Sequence, residues 1–159
     1  MDYLWTPWRY HYIASAKTDG ICVFCDAVAA NQDRETLILL RGEKNFVILN
    51  RYPYTSGHVM IVPYLHVADL ASADAAMLAD MMQLAQRMQI ALQKTYRPEG
   101  FNLGMNLGRA AGAGIVGHLH LHVLPRWAGD ANFMTVVGET RVEPEELSTT
   151  YDRLCAALG

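Results

Sequence analysis

The chain has 159 residues, 52% hydrophobic and 18% charged, with a formal net charge of -3. That is the length of one domain with ample apolar material for a core, which excludes disorder as the main state. The mildly acidic balance excludes a general nucleic-acid binder, which needs a basic footprint, but admits a small phosphate ligand held by a few donors.

Residues 1–20 carry Tyr3, Trp5, Trp8, Tyr10 and Tyr12, with Pro7 between the two Trp. Such a density of aromatics predicts an irregular arm packed on its own domain or on a partner subunit. This segment lacks a basic region followed by a long apolar run, so no secretory signal is expected. A short helix is expected over 22–33, with Phe24 and Val28 inward. The apolar runs 36–41 and 46–50, joined by Gly42-Glu43-Lys44-Asn45, predict a β-hairpin. Residues 58–64, rich in β-branched side chains, predict a third strand.

The clearest helix spans 72–96, with Ser72 as N-cap and Pro98 and Gly100 just past its end. Met77, Met81, Leu84, Met88 and Leu92 recur at three- and four-residue steps and predict a core-facing stripe. Its edge, or an exposed Met82, is the lesser use of this helix as a dimer contact. Two more strands are expected at 101–107 and 118–125, separated by a Gly/Ala-rich loop. A short strand at 133–137 and a C-terminal helix over 145–158 follow. Cys155, in the last turns of that helix, is expected as a buried thiol without a chemical role. Local strand connections with a few helices predict an α+β fold, an antiparallel sheet with a long helix and a C-terminal helix packed against it. The expected organisation is a single domain over 1–159, with 1–20 as an aromatic arm and 127–159 as a C-terminal extension. No apolar segment is long enough to span a membrane.

The strongest chemical signal is Gly117-His118-Leu119-His120-Leu121-His122-Val123-Leu124-Pro125-Arg126. On a strand, alternate side chains share a face. His118, His120 and His122 then line one face at steps of about 7 Å, while Leu119, Leu121 and Val123 face the core. Such a row can bind a metal or do phosphate chemistry, since imidazole is a nucleophile and a proton donor near neutral pH. The second signal is Cys22-Val23-Phe24-Cys25. A lone C-x-x-C is redox-active, metal-binding or accidental, and no second copy exists to complete a four-cysteine site. The odd total of three cysteines argues against a disulfide framework and predicts a cytoplasmic protein.

The alternating histidine run resembles the signature of the histidine triad (HIT) superfamily of nucleotide hydrolases and transferases. The similarity extends to Asn50-Arg51-Tyr52-Pro53 and Ser56-Gly57-His58, which look like that family's nucleotide-binding hairpin. It also takes in Phe101-Asn102 through Asn106-Leu107-Gly108. The resemblance implies His120 as the nucleophile that becomes nucleotidylated and His122 as a phosphate contact that assists proton movement. It implies a nucleotide-binding set of Asn50, on the ribose, with His58, Asn106, Gly114 and His118. Zinc-bearing members of the superfamily supply ligands from positions matching Cys22, Cys25, His66 and His118, implying a structural Cys2His2 zinc.

The stretches Tyr3-Leu4-Trp5-Thr6-Pro7-Trp8-Arg9, Pro125-Arg126-Trp127 and Gly129-Asp130-Ala131-Asn132-Phe133-Met134-Thr135 look like the branch of bacterial diadenosine tetraphosphate phosphorylases. In that branch inorganic phosphate attacks the intermediate. One position departs from the family pattern. Many HIT hydrolases carry Gln four residues before the first triad histidine, and Gly114 stands there. Backbone N–H groups of the loop, with Arg109 as a charge partner, are the expected substitute cradle. Three readings follow: a nucleotide-cleaving enzyme acting on a dinucleoside polyphosphate or a nucleoside phosphoramidate, a purine-nucleotide-binding protein with little turnover, and a metallohydrolase whose zinc is held by the triad itself. The resemblance also implies a homodimer.

Overall fold

The computed structural model describes residues 22–130 and 145–159. The aromatic arm and the strand expected at 133–137 lie outside the described residues. Among the described residues, five strands form one antiparallel sheet in the order β1-β2-β3-β5-β4. They are β1 (Ile38–Arg41), β2 (Asn45–Leu49), β3 (Val59–Pro63), β4 (Gly100–Gly104) and β5 (Leu121–Arg126). The helices are α1 (Val23–Ala30), α2 (Asp33–Thr36), α3 (Ala75–Tyr96) and α4 (Leu147–Leu158). The α+β expectation holds, with the long helix and the C-terminal helix against the sheet.

Strand alternation sorts the side chains onto two faces. Val47 and Leu49 of β2, Val59 and Ile61 of β3, and Leu121 and Val123 of β5 join one core cluster with Met81, Leu84, Met88 and Leu92 of α3. Phe46, Ile48, Met60 and Val62 take the opposite face, where Phe24 and Ala27 of α1 cover them. Both faces are therefore occupied, and every residue of β2 and β3 is buried. The apolar stripe on α3 is core as expected, while Met82 and Ile90 on its other side are exposed.

Several boundaries differ from the sequence expectation. The helix expected over 22–33 ends at Ala30, where Asn31 turns left-handed at φ 50° and closes α1; α2 begins only at Asp33. The N-cap of α3 is Asp74, whose carboxylate accepts from the Met77 N–H at 2.7 Å; Ser72 ends a separate 3₁₀ turn capped by Asp69. A carboxylate at the N-cap satisfies an orphan N–H and also meets the positive end of the helix dipole. Cys155 is half-buried rather than buried. β4 stops at Gly104 instead of 107.

The boundary that matters most is that of β5, which starts at Leu121 and not at His118. β3 and β5 pair only over Val59–Ile61 against Leu121–Val123. Beyond that register the two chains part. Leu119 N–H turns instead to the Val67 carbonyl at 2.6 Å. Of the three histidines only His122 lies in the ladder. The other two lie where the strands have separated, and that gap makes room for a site.

Candidate active site and metal centre

The C-x-x-C motif places Cys22 at the N-cap of α1 and Cys25 within its first turn. His66 follows β3 and His118 precedes β5, so the split between these strands brings both to the same end of α1. The ligand atoms of Cys22, Cys25, His66 and His118 all lie within 4.8 Å of one another. Cys22 Sγ is 3.2 Å from His118 Nδ1, and Cys25 Sγ is 3.3 Å from His66 Nδ1.

His118 Nε2 lies 2.8 Å from the Pro63 carbonyl, which can only accept. The proton therefore sits on Nε2, and the Nδ1 lone pair points at the sulfurs. A second hydrogen bond of this kind is what orients a metal-ligating histidine. Burial raises the Cys25 thiol pKa, and the neighbouring Cys22 raises it further. A divalent cation between the sulfurs reverses that balance. Two thiolates and two imidazoles form a closed tetrahedral set, the composition of a structural zinc site. His120 and His122 do not belong to this group. His118 uses both ring nitrogens here, which leaves its backbone carbonyl to meet the next triad residue.

That carbonyl lies 2.8 Å from His120 Nδ1. Because a carbonyl only accepts, Nδ1 carries the proton and Nε2 of the neutral ring is a bare lone pair. His120 and His122 are neighbours, with ring centroids 4.9 Å apart. All three rings are buried, and burial lowers the pKa of His118 and His120. It pushes His122 down to about 4, helped by the charge of His120. Burial thus favours the neutral form of these imidazoles, the form a nitrogen nucleophile requires.

Sequence reasoning passed over two aromatic neighbours. The Phe24 ring, between the two cysteines, lies with its centroid 5.4 Å from His118 and 5.3 Å from His120. The Tyr54 ring lies 4.8 Å from His58. The signal for both was local: Phe24 sits inside the C-x-x-C, and Tyr54 sits between Asn50 and His58. Nothing in their spacing predicts contact with the triad.

His58 is 1% exposed, and its Nε2 lies 2.9 Å from His122 Nδ1. The loop from Asn50 to His58 is closed by Asn50 N–H to the His58 carbonyl at 3.0 Å. Gly57 makes the turn at φ +79°, and a Cβ there would come within 2.9 Å of Leu92 Cδ2. Asn50 Nδ2 is 3.3 Å from His58 Nδ1, so the structure joins Asn50, His58, His122 and His120 into one group. Asn106 is half-buried on the stretch after β4. Gly114 is half-buried in the loop before the triad, downstream of a 3₁₀ turn, Arg109–Ala111, flanked by left-handed Gly108 and Gly112. Arg109 is exposed on that turn.

The HIT domain family matches residues 31–129 of this chain. The chain is 40% identical over 154 residues to a Mycobacterium tuberculosis protein named AP-4-A phosphorylase, covering 92% of this chain and 79% of that protein. Among solved structures it is similar to a Zn-bound histidine triad family protein from Mycobacterium smegmatis. That pair shares 32% identity with a TM-score of 0.71, covering 86% of this chain and 92% of the other. A hypothetical histidine triad nucleotide-binding protein from Sulfolobus tokodaii aligns with a TM-score of 0.70 at 26% identity, over 86% and 91% of the two chains. With the alternating histidines, the sheet order and the hairpin all agreeing, the chain belongs to the histidine triad (HIT) family.

Proposed function

We propose that this HIT enzyme cleaves a dinucleoside polyphosphate, of the diadenosine tetraphosphate class, at the α-phosphorus through a nucleotidyl-His120 intermediate. The observation that carries the proposal is the setting of His120, whose Nδ1 lies 2.8 Å from the His118 carbonyl. Its Nδ1–H donates to the His118 carbonyl, so the buried ring offers Nε2 as a lone pair. Attack by Nε2 forms a P–N bond and breaks the bridging P–O bond. The leaving polyphosphate departs as an anion stable near neutral pH and needs no proton, since such phosphates have a second pKa of about 6. The Nδ1–H to carbonyl bond strengthens as positive charge grows on the ring. An acceptor oxygen then displaces His120 from phosphorus. Covalent catalysis of this kind splits one hard displacement into two.

The other residues take binding roles. Asn50 holds the ribose. His122 contacts the phosphate through Nε2. Asn106 and the backbone N–H groups of the loop around Gly114 receive the phosphoryl oxygens, with Arg109 adding charge. Zinc is held by Cys22, Cys25, His66 and His118, a reading supported by their convergence and by the Zn-bound relative. A closed four-ligand zinc supplies structural cross-linking between α1, the stretch after β3 and the triad, with no open position for substrate. The name of the M. tuberculosis relative favours inorganic phosphate over water as acceptor. The reading further includes a homodimer, with the exposed side of α3 as a contact candidate, and a cytoplasmic location consistent with three free cysteines.

The test is incubation with diadenosine tetraphosphate, with and without inorganic phosphate, and separation of the products. ADP plus ATP only with phosphate is expected. AMP plus ATP regardless of phosphate keeps the intermediate but replaces the acceptor by water. Tight binding of AMP with no product overturns the enzyme reading.

A further inference from the structure

We infer that His58 is a positioning residue that dictates which nitrogen of His122 carries the proton, and that backbone N–H groups of the 50–58 loop dictate the proton on His58 first. The order can be read from one end. Tyr52 N–H donates to Asn50 Oδ1 at 2.9 Å. That bond turns the amide so that Nδ2 faces the His58 ring, 3.3 Å from its Nδ1 and 3.5 Å from its Nε2. Tyr54 N–H donates to the same Nδ1 at 3.1 Å. A backbone N–H can only donate, so Nδ1 is the lone-pair nitrogen and the neutral ring carries its proton on Nε2.

That Nε2–H donates to His122 Nδ1 across 2.9 Å, in a buried contact. His122 Nδ1 is therefore an acceptor, and its neutral ring carries the proton on Nε2. His120 is held in the opposite state, with Nδ1–H on the His118 carbonyl. Two adjacent histidines, with rings 4.9 Å apart and inclined at 77°, thus present a bare Nε2 and an Nε2–H. The same residue type serves once as nucleophile and once as hydrogen-bond donor, and only the neighbours differ. The Tyr54 ring lies over the pair, its centroid 4.8 Å from His58 and 6.0 Å from His122, stacked on the latter at 29°.

The consequence for chemistry rests on the proposed nucleotidyl transfer. A neutral His122 donating from Nε2 stabilises charge on a phosphoryl oxygen without giving up its proton. The reverse tautomer points a lone pair at that oxygen and repels it. Asn50, the expected ribose contact, belongs to the same chain of bonds, so the residue that reads the sugar also helps set the donor.

The first test is nitrogen-15 NMR of the ring nitrogens in the whole protein without nucleotide. A one-bond N–H on His58 Nε2, coupled through the hydrogen bond to His122 Nδ1, is expected. The proton found on His122 Nδ1 overturns the inference. The second test compares near-isosteric variants, checked for folding by circular dichroism. His58→Gln keeps a donor at the Nε2 position and is expected to retain kcat within about tenfold. His58→Glu places an acceptor there, draws the proton to His122 Nδ1, and is expected to lower kcat about 10²-fold or more with KM little changed. Equal activity of the two folded variants overturns the inference. The spectrum needs no substrate, so the two readings fail separately. The expected proton order without cleavage of diadenosine tetraphosphate removes the proposed function alone, and cleavage with the proton on His122 Nδ1 removes this inference alone.

Discussion

His118 and His122 stand at the two ends of one five-residue run, yet they live in different chemistry. At the first end, the chain has left the sheet and meets the start of α1 and the stretch after β3, so three distant segments converge on half-buried cysteines and an exposed His66. At the other end, His122 lies in the ladder opposite Met60 and pairs with His58 inside the protein. Both rings are almost fully buried, at 1% and 8% exposure. What separates them is the partner of each ring nitrogen. A carbonyl on Nε2 turns His118 into a ligand through Nδ1, and an N–H on Nδ1 turns His122 into a donor through Nε2. His120 lies between, joined to the first end by a backbone carbonyl and to the second by ring contact. A repeated residue in a regular pattern is therefore not a repeated function. Each imidazole takes its role from the one hydrogen bond it cannot avoid.

This contrast can be broken at either end. The largest effect is expected at the centre, where His120→Ala removes the nucleophile. By the scale of nucleophile deletions, cleavage of diadenosine tetraphosphate should fall by about 10⁴- to 10⁶-fold. The melting temperature should stay within a few degrees, and product formation alongside a thermal melt checks both. Retained activity sinks the covalent route.

At the metal end the order of damage is reversed. Cys25→Ser should abolish stoichiometric zinc in elemental analysis and lower the melting temperature by about 5 °C or more, equivalent to about 2 kcal/mol for a chain of this size. Activity should fall less than in His120→Ala, because the His118 carbonyl remains in the chain to hold Nδ1. Full zinc occupancy in the variant rules out this ligand set.

The last expected effect is a pH dependence at the other end. Burial depresses the His122 pKa from an ordinary 6.5 to about 4, so the unfolded chain binds a proton that the folded chain refuses. Its contribution is present in full above pH 6.5 and is lost as pH falls towards 4, up to about 3 kcal/mol. Urea unfolding across that range should show a steeper decline for the native protein than for His122→Phe. Parallel curves would remove His122 as the cause.

Much of this was legible in the sequence because the signals are periodic. The α3 stripe of Met77, Met81, Leu84, Met88 and Leu92 is buried as its spacing requires, and Leu119, Leu121 and Val123 enter the core by strand alternation. The hairpin at Gly42–Asn45 follows from two apolar runs and a polar turn, and the register Arg41↔Phe46 confirms it. The N-cap of α3 is not legible in the sequence because Ser72, Asp69 and Asp74 are all good capping residues, and only the path of the backbone chooses among them. The start of β5 differs from its sequence pattern because alternation continues through His118 and His120 after the partner strand has turned away. A pattern in one strand carries no information on where its neighbour ends.

The site divides in the same way. Residue types and spacing, read with the family resemblance, are sufficient to single out His118, His120, His122, the C-x-x-C, Asn50 and His58, because imidazole, thiol and amide have few alternatives for this chemistry. Periodicity likewise determines the α+β character and the buried faces, since helices and strands repeat at fixed intervals. Only the tertiary structure decides which nitrogen each histidine offers. That choice depends on the Pro63 and His118 carbonyls and the Tyr54 N–H, backbone groups that every residue carries and no sequence pattern distinguishes. Their positions follow from where β3 and β5 separate and how the 50–58 loop closes, which is a property of the packed chain and not of any segment read alone.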